Sequence, residues 1–413
     1  MPARIEFPLD IPEVRIVQSD LGAREITIRV ESTREWAICH KCGSEIREFH
    51  GYGEMLRLRH LPILGRPVYI EIRPKRFRCT KCEDKPTSTQ QLDWYDGRST
   101  NTKAYEKWMM LLLIGSTISD LMRKEELTYD VILGTLRRHI SETVNWDEFT
   151  KLKVLGLDEI TLRKGHQDFI VLVTTRKADG SVALIAVLPD RKKETVVAFL
   201  RTIPVELRAT IEDVCTDMYD GYVNAVKEEV AQARVVIDRF HVAKAYRCCA
   251  DKLRKEVLRE LKAILNKEEY AFLKGTMWPF RHNGDDLTDE EQERLDLLLE
   301  CAPDLKQAYL LREQLTEIFE TDHTKASAAV AIKQWMKKVQ RSGLNCFDSF
   351  LTTLTNWWDE ITNYFVARLS SGFVEGFNNK VKVLKRRCYG ITNLTHLFQR
   401  LYLDLEGYRL FGS

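Results

Sequence analysis

"KVLGLDEITL", residues 153–162, places an ionisable side chain, Asp158, inside an apolar run. Leu155, Leu157 and Ile160 give the run the pattern of a β-strand, and a charge inside such a strand is unfavourable unless it has a partner. Two more apolar runs follow closely, "DFIVLVTTRK" (168–177) and "SVALIAVLPD" (181–190). Turn-length gaps between the three predict consecutive antiparallel strands. "KKETVVAFLRTI" (192–203) then has the period of a helix, and "RATIEDVCTDM" (208–218) reads as a fourth strand. "GYVNAVKEEV" (221–230) is a second helix and "ARVVIDRFHV" (233–242) a fifth strand.

The order β-β-β-α-β-α-β, closed after a long helical stretch by a further helix, is that of the ribonuclease H fold, an α/β mixed sheet with helices on its faces. Its first and fourth strands are neighbours, so Asp158 and Asp217 are expected at one sheet edge. "SSGFVEGFNNKVKVLKRRCYG" (370–390) supplies the closing helix, with Gly390 as its stop. At about 100° per residue, Glu375, Asn379, Lys382 and Arg386 fall on one face, and Phe373, Phe377, Val381 and Leu384 on the opposite one. Glu375 is the sole carboxylate between Glu360 and Asp404, in a segment crowded with cations. A helical Glu ordinarily pairs with a Lys one turn on; here Asn378 and Asn379 stand at those places.

Three carboxylates drawn together in this way suit two divalent cations. Mg²⁺, or Mn²⁺, is hard and oxygen-seeking, and a pair of such ions about 4 Å apart clamps a phosphodiester between attacking and leaving oxygens. Asp158 is expected to bridge both ions, with Asp217 and Glu375 completing one sphere each. Lys382 and Arg386 then face the DNA backbone. Asp220 is an alternative ligand to Asp217, whereas Glu159 points to the other side of its strand. Asp238, His241 and Asn379 are expected to support the carboxylates, His241 by moving a proton or by holding a ligand in place.

The chain has 413 residues, 44% apolar and 30% charged, which describes a globular protein of two or three domains. Its net charge of +2 conceals asymmetry: residues 55–82 are strongly basic, residues 285–304 strongly acidic. No run approaches the roughly 20 apolar residues of a membrane helix, and no signal segment opens the chain, so no membrane association is expected and the cytoplasm is the expected compartment. Cysteines in such a compartment are better read as metal ligands than as disulfides. "CHKC" (39–42) and "CTKC" (79–82), joined by alternating strands, predict a ribbon in which Cys39, Cys42, Cys79 and Cys82 hold one structural Zn²⁺. The nearby histidines, His40, His50 and His60, are read as surface or phosphate contacts. Arg76 and Arg78 in the same region are candidate DNA contacts. Residues 98–145 contain three helical stretches with a tight turn before the last, a helix-turn-helix pattern. Its third helix offers Tyr129, Asp130, Thr135, Arg137 and Arg138 to a groove or backbone.

Taken together, "CHKC", "CTKC", "GLDEI", "TDMYDGY", "IDRFHVAK" and the 370–390 segment with "YGITNLTHLFQR" after it resemble the ISL3 group of insertion-sequence transposases. The likeness runs from residue 39 to about 400. It implies an N-terminal zinc module (1–92), a helix-turn-helix (98–145) and a DDE catalytic domain (151–413), the last interrupted by a helical insertion at about 244–365. It also implies that Asp158, Asp217 and Glu375 are the acids of DNA cleavage and strand transfer. The expected partners are terminal inverted repeats and target DNA, engaged by a homodimer or higher oligomer on paired ends. Trp335, Trp357 and Trp358 of the insertion are read as core, with base stacking as the lesser reading. Two other functions remain open: a DNA-binding regulator built on an inactive nuclease fold, and a nuclease acting on RNA or branched DNA.

Overall fold

The computed structural model describes residues 8–161, 169–177, 179–282, 286–369, 372–388 and 390–412, without the side chains of 372–375. The chain forms two compact units, Met1–Glu142 with Gln399–Ser413, and Thr143–Phe398.

In the first unit a four-stranded sheet is built from β1 (Val14–Leu21), β2 (Ile26–Ser32), β6 (Leu56–Ile63) and β7 (Arg66–Ile72), in the order β1-β2-β7-β6. Alternation decides its faces: Ile26, Ile28 and Val30 of β2 are buried with Val68, Ile70 and Ile72 of β7. Between and after these strands lie the small strands β3 (Ala37–Ile38), β4 (Glu45–Ile46), β5 (Glu48–Tyr52), β8 (Lys75–Arg78) and β9 (Thr87–Thr89). They make a β3-β4 pair and a β5-β8-β9 sheet, which carry the two cysteine pairs.

Three helices follow, α1 (Lys103–Leu113), α2 (Ile118–Glu125) and α3 (Tyr129–His139). Thr117 caps α2 through a reciprocal box with Asp120, and Glu126 takes a left-handed φ of 54° to end it. Met109, Met110, Leu113, Leu121, Ile132 and Leu136 form their core, completed by Leu403 and Phe411 of the C-terminal helix Leu394–Phe411. The expected division placed residues 399–413 with the catalytic region. The structure returns them to the first unit, because the apolar side of the last helix packs on α1 to α3. Arg400, only 2% exposed, donates to the carbonyls of Leu113 (3.1 Å) and Ser116 (2.7 Å) where α1 ends, and Asp404 accepts from the Gly115 amide at 3.1 Å.

The second unit is a mixed α/β structure around a five-stranded sheet: β10 (Val154–Thr161), β11 (Phe169–Arg176), β12 (Val182–Leu188), β13 (Asp213–Thr216) and β14 (Arg234–Ile237). The order is β12-β11-β10-β13-β14, antiparallel from β10 outward to β12 and parallel from β10 to β14. Helices α4 (Lys193–Thr202), α5 (Val205–Arg208) and α6 (Asp220–Glu229) connect the strands. Leu155, Leu157, Val171, Val173, Val214 and Val235 face Val196, Leu200, Tyr222 and Val226 in one core. Each such side chain removed from water contributes about 1.5–3 kcal/mol.

The other face, through Cys215 and Val236, joins a helical core. That core is made by α7 (Arg239–Ile264), α8 (Lys267–Lys274), α9 (Asp289–Cys301), α10 (Pro303–Glu320), α11 (Lys325–Ser342) and α12 (Asp348–Asn356), followed by the short α13 (Trp358–Thr362) and α14 (Tyr364–Ala367). The predicted insertion is thus continuous with the helix that leaves β14. Trp335 is core, 2% exposed, with Nε1 donating to the Leu311 carbonyl at 2.8 Å. Last comes α15 (Gly372–Arg387), which packs through Phe377, Val381 and Leu384. No helix among the described residues is long and apolar enough to cross a membrane.

Candidate active site and zinc cluster

Gly156 is paired with Cys215, so strand alternation turns Asp158 toward the same side as Cys215, and Asp217, two residues beyond Cys215, follows. Leu157 and Thr216 are the last pair of the parallel ladder, which places both carboxylates at its end. The next parallel strand ends at Ile237, and Asp238 caps α7 by accepting from the Phe240 amide at 3.0 Å. One turn into α7, His241 puts its Nε2 2.8 Å from Asp217 Oδ1. One ligand atom from each of Asp158, Asp217 and His241 lies within 4.8 Å of the other two.

The fourth element of the site is α15. Asn378 Nδ2 donates to Asp158 Oδ2, and the Glu159 amide donates to Asp158 Oδ1 at 2.8 Å. The other atom of the same amide, Asn378 Oδ1, is buried without a hydrogen-bond partner among the described residues. Burial raises the Asp158 carboxyl above its ordinary range and the Asp217 charge adds to that, against the Asn378 hydrogen bond. Burial alone lowers a histidine, yet the hydrogen bond to Asp217 and the charges of Asp158 and Asp238 bring His241 out raised. Two carboxylates pressed together in a half-buried niche, with an unsatisfied amide oxygen beside them, make a donor set suited to a hard divalent cation.

Glu375 lies in α15 one turn before Asn378, on the same side of the helix; its side chain falls outside the described residues. Asn379 is exposed, and its neighbour Asn378 makes the contact instead. The buried stripe is the expected one, Phe377, Val381 and Leu384, and the Asp158 contact is made at its flank, by Asn378. Asp220 is exposed at the start of α6, while Asp217 is in the cluster. Glu159 points away, to Arg191 at 3.2 Å. Lys385, not anticipated, donates to the Thr161 carbonyl at the end of β10.

Among the expected DNA contacts, Lys382 and Arg386 are exposed on α15, and Arg137 is exposed on α3. Arg138 is committed internally: it pairs with Glu106, itself 2% exposed, and donates to Ser99 at 3.2 Å. Thr135 is fully buried, its hydroxyl returning to the Val131 carbonyl at 2.9 Å. Thr135 is therefore a core group of α3 and Arg138 a half-buried one held by Glu106, where a helix surface was expected. Arg76 donates to Thr87 Oγ1 at 2.7 Å, and Arg78 meets His50 Nδ1 at 2.9 Å. His60 is buried against Thr102, away from any surface.

At the ribbon the four sulfurs of Cys39, Cys42, Cys79 and Cys82 gather within 4.8 Å of one another. Cys39 and Cys82 are 4.0 Å apart, Cys42 and Cys79 3.8 Å. A disulfide needs about 2.05 Å, while a tetrahedron with Zn–S of about 2.3 Å has an edge of about 3.8 Å. Each knuckle closes on a left-handed residue, Gly43 (φ 68°) and Lys85 (φ 42°). Gly43 N donates to the Cys39 carbonyl and Lys85 N to that of Cys82. The Cys42 thiol is pulled down to about 6 by the Ser44 amide, whereas its neighbours push Cys82 up to about 12. Protons alone do not allow four thiolates at once; a structural zinc ion does. His40 turns to Ser88 at 3.0 Å and takes no part.

Comparison with known proteins covers both regions of the chain. Residues 35–82 match the zinc finger of the transposases of IS204, IS1001, IS1096 and IS1165, and residues 155–401 match the ISL3 DDE transposase family. The chain is 26% identical to the transposase for insertion sequence element IS1001 of Bordetella parapertussis, over 98% of this chain and 95% of that protein. It is 23% identical to the transposase for IS1557 of Mycobacterium tuberculosis, over 90% and 86% of the two chains. The family match spans the sheet, the helical insertion and α15, and the chain belongs to the ISL3 family of DDE transposases.

Proposed function

We propose that this transposase cuts and joins the ends of its own insertion sequence at a divalent-metal centre formed by Asp158, Asp217 and Glu375, after the first unit has bound the terminal inverted repeats. The observation that carries the reading is the meeting of Asp158, Asp217 and His241 within 4.8 Å at the ends of three parallel neighbours. The strand order and directions fit a ribonuclease H-like core, and α1 to α3 fit a helix-turn-helix braced by the C-terminal helix.

Asp158 and Asp217 would hold Mg²⁺ or Mn²⁺, with Glu375 brought by α15. Such ions, when bound, activate the attacking oxygen and stabilise the leaving one. The chain's own residues prepare the site. Asn378 fixes one oxygen of Asp158, and His241 fixes one oxygen of Asp217. A half-buried setting strengthens both contacts relative to water. Lys382 and Arg386, exposed along α15, take the phosphates flanking the scissile bond, and Arg137 with the ribbon arginines contributes to backbone binding. Paired ends would be served by a dimer or larger assembly.

Cleavage and strand transfer on DNA carrying the element's own ends test this. Asp158→Ala, Asp217→Ala and Glu375→Gln should each abolish both reactions in Mg²⁺ or Mn²⁺ while repeat binding persists. Activity surviving all three substitutions would refute the assignment, and binding without any cleavage by the unaltered protein would favour a regulator.

A further inference from the structure

Beside the carboxylates, and apart from them, a cavity of about 300 Å³ opens between the first turns of α7 and the C-terminal half of α10. Its wall includes Arg239, Phe240, Arg247, Arg281 and Arg312 with two carboxylates, Asp238 and Glu320; Arg281 is paired with Asp251 and Arg312 with Glu313, so Arg239 and Arg247 are the cations to consider for a guest. Asp238 is already engaged as the cap of α7. Arg312 is 7% exposed; its terminal nitrogens donate to the carbonyls of Phe280 (2.9 Å) and His282 (2.6 Å). Its Nε is buried with no hydrogen-bond partner among the described residues. The cavity therefore presents guanidinium groups and an unused buried donor, features that suit a guest carrying an anionic group.

It also offers a ring. Phe240 is 43% exposed, and the Arg247 guanidinium carbon lies 5.5 Å from its centroid. A phenyl face left to solvent between cations suits a planar aromatic guest. The location narrows the guest further. Phe240 packs edge-on against the His241 ring, centroids 5.9 Å apart, and His241 touches Asp217. A single imidazole thus separates the cavity wall from the reacting centre. About 300 Å³ is the small end of ligand pockets, enough for one nucleotide and too little for a duplex.

We propose that this cavity is a subsite for one unpaired nucleotide of the DNA strand cut at the Asp158–Asp217 centre. The base lies on Phe240, and Arg239 and Arg247 hold its phosphate. Of the three tryptophans weighed for such a role, Trp335 is sealed in the core, Trp357 and Trp358 are half-buried against the helical core, and none lines the cavity. The inference rests on the transposase reading and adds to it a specific place for a base removed from the helix, which must leave its stack before it can enter.

The test uses the full-length protein in Mg²⁺ with duplexes of the element's cleaved end, each carrying 2-aminopurine at one position near the 3′-OH. At one position fluorescence should rise several-fold on binding, as the probe leaves the stack. Phe240→Ala should lower that occupancy by about tenfold, Phe240→Trp should keep it, and Arg239→Ala should weaken it. Cleavage of uncut ends by Phe240→Ala should slow about tenfold and recover on DNA mismatched at that position, where the unstacking is already done. If Phe240→Ala does not fold, Arg239→Ala at an exposed position reads the same occupancy. Cleavage proceeding with every probe still quenched, or Phe240→Ala and Arg239→Ala leaving both signals unchanged, overturns the subsite alone. A protein that binds no ends and cuts none overturns the transposase reading and the subsite with it.

Discussion

Asn378 reaches Asp158 from a helix more than two hundred positions along the chain, and this contact ties α15 to the sheet edge where the carboxylates meet. Replacing it with Ala removes the orienting donor and keeps the charges. We predict a fall of about 10–100-fold in cleavage, the usual loss for a group that orients a ligand, with repeat binding unchanged in a gel-shift assay. A second residue-scale prediction concerns Glu106, buried under Arg138 and His139. Burial works to raise its carboxyl, but hydrogen bonds from His139, Ser99 and Arg138 prevail and hold it below the ordinary glutamate range. A lowered carboxyl stabilises the fold above the unfolded value and loses that contribution as pH falls through the folded one. Glu106→Ala should destabilise the first unit by about 3–5 kcal/mol at neutral pH, since it strands a half-buried cation. Thermal unfolding from pH 7 down to pH 3 should show the difference from the unaltered protein narrowing toward the acid end.

At the scale of elements, strands and helices were largely legible in the sequence. β10 to β14 follow the apolar runs, and α2 is capped by Thr117, one of the two candidates the sequence offers with Ser116, because alternation and capping are local properties. Side-chain destinations were less legible. Arg138 was read as a DNA contact and Asn379 as a support for the carboxylates, yet Arg138 answers Glu106 from another helix, and Asn378 meets Asp158 in place of Asn379 through the way α15 seats on the sheet. His241 was read as a support for the site, but its distance to Asp217 depends on how α7 leaves β14, which spacing in sequence does not reveal. The cysteine pairs were legible because a CxxC knuckle fixes its own geometry. Two predictions belong here. Elemental analysis should find one zinc per chain and none after Cys39→Ser with Cys79→Ser, and the double substitution should weaken repeat binding as the ribbon's small core loses its centre. Leu403→Ala should cost about 2–5 kcal/mol in the unfolding of the first unit, although residue 403 lies far from it in sequence.

At the scale of the whole molecule, the proposed division of labour is between a first unit that recognises and a second that cuts, and most of the chain's last helix belongs to the first unit. That assignment was not legible: residues 399–413 follow the catalytic motif directly, and only the packing of Leu403 and Phe411 reveals their place. Binding to the repeats should weaken steeply with salt, because backbone contacts release counterions; a flat response in fluorescence anisotropy between 50 and 200 mM salt, a range over which a handful of phosphate contacts loses roughly 10³-fold, would speak against the basic surfaces as DNA contacts. The central claim is that Asp158, Asp217 and Glu375 serve one divalent-metal pocket. Mn²⁺ binding followed by electron paramagnetic resonance tests it most directly. The account predicts that Asp158→Asn, Asp217→Asn and Glu375→Gln each weaken Mn²⁺ binding at least about tenfold, with zinc retained, given that two or three carboxylates supply the charge that holds the ion. Affinity unchanged in all three variants would contradict it.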